Sequence, residues 1–222
     1  MDVPFRDREE AGVLLAGRLG YLEHQDMVVL ALPRGGVPVA RGVADGIGAD
    51  IDVLVVRKLG APGQRELALG AVGADGTLVV NDMIVRHAGV STEALRSRAD
   101  DVAAQLGSWA DTLRGGRPAQ PMAGRVVVVV DDGIATGATM RAALQIVRKA
   151  GPKQLVAAVP VAPPDACNAL AEYADRVECL RQPPAFGSVG EWYRDFHQID
   201  DQDVRRMLAA SPAPHPTGPT WR

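Results

Sequence analysis

Residues 126–130 are five consecutive valines. Valine is β-branched and stiff at its first side-chain torsion, which suits a pleated strand better than a helix. A run with no polar alternation also needs cover on both faces, as in a parallel sheet sandwiched between helices. The run is therefore predicted as a central parallel strand. The rest of the chain agrees, because β-rich runs at 27–32, 51–56, 155–161 and 176–180 alternate with helical periods at 7–23, 37–47, 138–149, 165–174 and 200–209. That alternation builds βαβ units. In the first helix Asp7 serves as N-cap, and Ala11, Leu14, Leu15, Leu19 and Leu22 form the inward face. The expected fold class is α/β, with a parallel sheet of about five strands flanked by helices.

Other architectures and functions lose support on composition. At 222 residues, 47% hydrophobic and 23% charged, the chain suits one packed domain rather than a disordered or disulfide-rich one. A formal charge of −3 gives no global basic field, so nucleic acid is not an expected partner. Arg96, Arg98, Arg114 and Arg117 are the residues from which a local basic face would have to come. Cys167 and Cys179 form no CxxC pair, and His24, His87, His197 and His215 lack metal-ligand spacing. No apolar run approaches the length of a membrane span and no signal core opens the chain, so a cytoplasmic location without a membrane partner is expected.

The domain is expected over 1–210. Residues 58–124 exceed what a βαβ crossover needs, and a helical insertion is placed at about 82–120. Its Leu95, Ala99, Val102, Leu106, Trp109 and Leu113 recur at steps of four and three, the spacing of a packing seam. That seam serves either the chain's own sheet, a cover over a site, or a homodimer interface. The segment 211–222 carries four prolines and is expected to be a disordered tail.

The chemistry concentrates where the valine run ends, in VVVVVDDGIATGATM at 126–140. A buried strand leads into two acids, then a loop of small residues, then a helix. Gly133, Ala135, Gly137 and Ala138 keep the backbone accessible, so amides there can wrap a phosphate at the positive end of the helix dipole. Thr136 and Thr139 add hydroxyls. Asp131 and Asp132 would repel that phosphate unless they served neutral groups, and ribose hydroxyls are natural partners. The loop has no P-loop lysine and no GxGxxG opens a helix elsewhere, so a phosphorylated sugar fits better than a nucleoside triphosphate or a dinucleotide.

This stretch resembles the phosphoribosyl-pyrophosphate (PRPP) motif of the type I phosphoribosyltransferases, closest to the adenine-type and xanthine/guanine-type members. The resemblance implies that Asp131 and Asp132 hold the ribose hydroxyls while residues 133–139 bind the 5′-phosphate. ALPRGGVPV at 31–39 is similar to the family's pyrophosphate loop, which gives Arg34, Gly35 and Gly36 to the leaving group. VRKLGAPG at 56–63 resembles the RK segment of adenine-type members and places Arg57 and Lys58 near pyrophosphate; the alternative is a solvated charge pair. Glu66 follows as a loop carboxylate. Mg²⁺ is implied as a cofactor, bound through PRPP, with Asp131 or Asp132 the candidate protein ligands.

A small C-terminal hood at about 181–210 is implied as well. Within it FGSVGEWYRDF, 186–196, concentrates aromatic residues in a chain with 4% of them. Phe186, Trp192 and Tyr193 are candidate stacking partners for a planar base, or else anchors that pin the segment to the core. By similarity, Arg194 reaches pyrophosphate. One departure stands out. The 6-oxopurine branch expects an acid three positions after the second aspartate, and this chain has Ala135. The implied function is transfer of ribose 5-phosphate from PRPP to a nitrogenous base in nucleotide salvage, with release of pyrophosphate. The alternatives are a PRPP- or nucleotide-binding regulator without turnover and a phosphoribosyl hydrolase.

Overall fold

A computed structural model describes residues 3–61 and 64–209, except for the side chains of 64–67. The elements run α1 Arg8–Leu19, β1 Met27–Ala31, α2 Gly36–Ile47, β2 Asp50–Val53, β3 Val56–Ala61, β4 Gln64–Gly73, β5 Leu78–Val80, α3 Asp82–His87 and α4 Thr92–Arg114. Then come β6 Val126–Val130, α5 Ala138–Lys149, β7 Gln154–Val161, α6 Pro164–Leu170, β8 Arg176–Arg181 and α7 Asp201–Ala209. Among the described residues no helix is long and apolar enough to cross a membrane. The expected tail at 211–222 lies outside the described residues, as do Pro62, Gly63 and the side chain of Glu66.

Five strands form a parallel sheet in the order β2-β1-β6-β7-β8. The valine strand is its centre, and all five valines are fully buried. Alternation divides them: Val126, Val128 and Val130 face a core shared with α1, α2, α4 and α7, while Val127 and Val129 face the core built by α5 and α6. Covering both faces of β6 removes its apolar side chains from water at roughly 25 cal/mol per Å².

The run at 51–56 is not one strand. β2 ends at Val53, and Val56 opens a separate antiparallel sheet, β3-β4-β5. Leu54 and Val55 carry the chain between them, with the Leu54 amide donating to Ala31 O at 2.9 Å and Val55 O accepting from Ala74 at 3.0 Å. Both are buried, so apolar content alone did not mark the break. The second sheet leans on α5 through Ala71, Ala142 and Ile146. In α1, Asp7 caps Glu10 as expected, but Leu14 is 48% exposed rather than inward. Gly12 sets that helix against α2 so closely that a Cβ would lie 2.5 Å from Val39 O. α4 lays its buried Leu95, Ala99, Leu106, Ala110 and Leu113 into the main core together with Val204 and Leu208 of α7. Its apolar seam is therefore covered within the chain.

The candidate basic face is not assembled. Arg114 pairs with the buried Asp52 at 2.8 Å, Arg98 donates to Gly60 O at 2.7 Å, and Arg117 binds Leu208 O. Asp52 also accepts from Gln120 N at 2.9 Å, so it ties β2 to the end of α4 and the following turn.

Candidate active site

Two loops leave adjacent strands at the carboxyl edge of the sheet, where ligands of open α/β sheets collect. β1 gives the loop 32–35 and β6 the loop 131–137. They touch directly: Leu32 N donates to Val130 O at 2.9 Å, and a Cβ on Gly36 would lie 2.8 Å from Val130 O and 2.9 Å from the Asp131 Cα. A Cβ on Gly35 would run into the Asp132 carboxylate, 2.8 Å from its Cγ. Only residues without a side chain let the first loop lie on the acids. The Pro33–Arg34 peptide between them is cis.

The two acids form the floor of a cleft of roughly 420 Å³, lined also by Arg8, Arg34, Gly35 and residues 196–199. One oxygen of each is held internally. Asp131 Oδ1 accepts from Asp132 N at 2.9 Å, and Asp132 Oδ2 accepts from Arg8 Nε at 2.8 Å. Burial pushes the Asp131 carboxyl well above the usual carboxylate range, and the neighbouring Asp132 charge pushes it further. Burial raises Asp132 as well, opposed by the Arg8 guanidinium. The Tyr193 hydroxyl donates to the Asp132 carbonyl, and burial drives that phenol far above its ordinary value.

Gly137 is the N-cap of α5, and its left-handed φ of 72° makes the turn into the helix. Such a backbone is strained for any residue with a Cβ. Among the described residues the amides of 135–139 meet no acceptor. Open amides at a helix N-terminus can take an anion, and Thr136 and Thr139 beside them are exposed. On the outer side of this loop lies a second cleft, roughly 730 Å³, where Lys58 and Arg141 line the wall with Thr136 and Ala138.

The predicted residues divide between these places. Arg34, Gly35, Gly36, Asp131 and Asp132 come together. Arg34 is oriented from outside the loop: its Nε meets Asp201 Oδ1 at 2.5 Å and its guanidinium lies 5.6 Å from the Trp109 ring centre. Trp109 Nε1 donates to the other Asp201 oxygen at 3.2 Å, and the Arg34 hydrogen bond is the first reason that the Asp201 carboxyl is held low. Lys58 faces the second cleft instead. Arg57, its neighbour on a strand, points the other way and reaches Gln105 of α4 at 3.4 Å. The expected pair at pyrophosphate is thus split by strand alternation.

The aromatic segment also behaves differently from its expected stacking role. Tyr193 is 6% exposed, with ring centres of Phe5 and Phe196 at 5.5 and 5.2 Å. Its faces are covered, so it acts as an anchor and an acid-pair contact rather than a surface for a base. Phe186 and Trp192 stack on each other at 6.5 Å and pack on Phe5, Val161 and Tyr193. Trp192 Nε1 is buried without a partner among the described residues. Phe196 and His197 line the cleft instead.

Sequence reasoning missed Arg8, Trp109, Phe196 and Asp201. Arg8 carried a usable signal, since a cation in a helix's first turn opposes the dipole, and here it precedes Glu9 and Glu10.

The chain is similar to several known proteins. A phosphoribosyl transferase domain family model matches residues 9–194. Two Mycobacterium tuberculosis proteins, from strains H37Rv and CDC 1551, are each 48% identical over 204 residues, 92% of this chain and 46% of theirs. Both bear the name "Putative phosphoribosyl transferase", and the chain spans about half their length. The crystal structure of TT1426 from Thermus thermophilus superposes with a TM-score of 0.84 at 45% identity, covering 93% of this chain and 98% of that one. With 186 consecutive positions inside the family model, the chain, whose two loops meet at the ends of adjacent parallel strands, belongs to the phosphoribosyltransferase domain family.

Proposed function

We propose that this domain binds PRPP and transfers its ribose 5-phosphate to a nitrogenous base, releasing pyrophosphate, as a salvage reaction would. The observation that carries the reading is the contact of Gly35 and Gly36 with Asp131 and Asp132. It puts a loop of backbone amides and Arg34 next to two carboxyls, with the 135–139 amides following on the same segment. A sugar with a phosphate at each end and hydroxyls between matches that order. As pyrophosphate leaves, C1 becomes cationic and charge builds on the leaving group. Arg34 and the loop amides stabilise that charge, while the carboxyls hold the hydroxyls and offset the cationic sugar.

Among the described residues no group of three His, Cys, Asp or Glu could hold a metal ion. A pair of carboxylates beside a pyrophosphate still fits Mg²⁺, which takes one or two carboxylates plus substrate phosphate oxygens. Asp131 and Asp132 would be its protein contacts, and the ion would supply charge neutralisation on the leaving group.

The experiment is calorimetric PRPP binding with Mg²⁺, run beside a pyrophosphate-release assay over purines, pyrimidines and small amines. Release with one acceptor supports transfer and identifies the base. The second reading, a PRPP-binding regulator, is favoured by Ala135 in the position where an acid would handle the proton of a 6-oxopurine. It predicts binding without release on any acceptor. Absence of PRPP binding would refute both.

A further inference from the structure

Arg8 is almost fully buried, 7% exposed, yet it sits in the first turn of α1, where the helix dipole disfavours a cation. Its contacts explain why it is there. Nε donates to Asp132 Oδ2 at 2.8 Å, Nη1 donates to His197 O at 2.9 Å, and the guanidinium lies 3.8 Å over the Phe196 ring. A lysine could not do this, because the contacts use a planar fork with two donors and a flat face for stacking.

The oxygens of the acid pair can be accounted for one by one. Asp131 Oδ1 is taken by the Asp132 amide and Asp132 Oδ2 by Arg8. One oxygen on each acid is left for a ligand, two for two vicinal hydroxyls. Arg8, Phe196 and His197 lie just outside the 9–194 stretch matched by the family model.

We propose that Arg8 is a positioning residue: it fixes Asp132 so that Oδ1 faces the sugar, and it ties the orientation of that acid to the 193–197 segment. The brace rests on the PRPP reading above. Phe196 covers one face of the guanidinium and the Tyr193 hydroxyl holds the Asp132 backbone. The carboxylate is thus held at both its side chain and its main chain. Because Arg8 acts through Asp132, the effect should appear first in ligand affinity.

The test compares wild type, Arg8→Ala and Arg8→Lys by PRPP calorimetry, thermal melting and titration with methylguanidinium. Arg8→Ala should weaken PRPP binding about 10- to 100-fold, the range lost when a group orienting a liganding side chain is removed. Methylguanidinium should restore much of that loss, and Arg8→Lys, with its charge but no fork, should remain weakened. A folded Arg8→Ala chain with wild-type affinity overturns the proposal. So does a loss that follows the melting temperature and ignores methylguanidinium, since that marks a structural role alone. Should Arg8→Ala fail to fold, Arg8→Lys with undiminished affinity overturns it and weakened affinity upholds it. If the wild-type chain binds no PRPP, the functional reading fails first, before any variant is compared.

Discussion

Replacing Gly35 by alanine tests the contact on which the site is built. The residue has φ −59° and ψ −35°, a helical conformation that alanine adopts freely, so the backbone raises no objection. Space does. The new Cβ would lie 2.8 Å from the Asp132 Cγ, where carbon atoms prefer about 3.5–4.0 Å. The carboxylate must therefore retreat by about 1 Å. The oxygen that the Cβ would crowd, Oδ2, is the one that accepts from Arg8 Nε at 2.8 Å, so the retreat disturbs that bond. Overpacking of this kind costs about 1–3 kcal/mol, and at about 2–4 °C per kcal/mol for a chain of this size the melting point should fall by roughly 2–12 °C. The functional loss should be larger in proportion, because a 1 Å misplacement of a binding group costs up to about 100-fold. Calorimetry with PRPP and Mg²⁺ measures one effect and thermal melting the other. Gly17→Ala is the internal control. Gly17 is exposed on α1 with nothing within 4 Å of an added Cβ, so it should gain about 0.5–1 kcal/mol from helix propensity and leave PRPP affinity alone. Wild-type melting and wild-type affinity in Gly35→Ala would refute the contact, and with it the joining of the two loops into one site.

Asp132→Ala should lower turnover by roughly 10²–10³ in the pyrophosphate-release assay, by comparison with loss of a group that acts mainly in the transition state; unchanged turnover would remove Asp132 from the site. Arg114→Met leaves Asp52, 4% exposed at its side chain, without its counter-charge. Chemical denaturation should then show a loss of about 3–5 kcal/mol, and a loss near zero would mean that the pair is not buried in solution. Asp131→Asn should stabilise the fold at neutral pH while weakening PRPP. Its sign follows from the raised carboxyl. The wild-type group contributes fully below the usual carboxylate value of about 4 and loses that contribution as pH climbs toward the raised folded value. The advantage of Asn should therefore be absent in acid and grow on the way to neutrality. A denaturation series in which the difference is flat with pH would contradict it.

How much of this was legible in the sequence varies with the kind of signal. The valine strand, the acids at its end and α5 were readable because each is local: a buried strand needs apolar residues, and a tight turn with a left-handed Gly137 needs small ones. The 51–56 run misled because Leu54 and Val55 are as apolar in a buried crossing as they would be in a strand. Leu14 misled because α1 turns its inward stripe toward Ala11, Leu15 and Leu19, leaving Val13 and Leu14 outside. The split of Arg57 from Lys58 was readable in principle, since neighbours on a strand face opposite sides. Arg8 showed only as an unfavourable cation in a helix's first turn; its partner Asp132, and Arg34 as the partner of Asp201, lie 124 and 167 residues away, and only the tertiary fold brings them together.

Those distant partners solve an electrostatic problem that the local motif creates. Two half-buried carboxyls side by side repel each other and repel any phosphate, and burial alone would drive both toward the neutral form. A site for a phosphorylated sugar must keep the acids and the anions on separate sides. Arg8 takes the acid pair from the α1 side, and Arg34, fixed by Asp201 and Trp109, stands on the β1 loop. Thr136 and Ala138, on the segment that follows β6, line a separate cleft with Lys58 and Arg141. A nucleoside monophosphate would need only one of the two anion-friendly flanks. Two such flanks, with acids suited to neutral hydroxyls beside one of them, are what the proposed reading of this domain as a PRPP site requires.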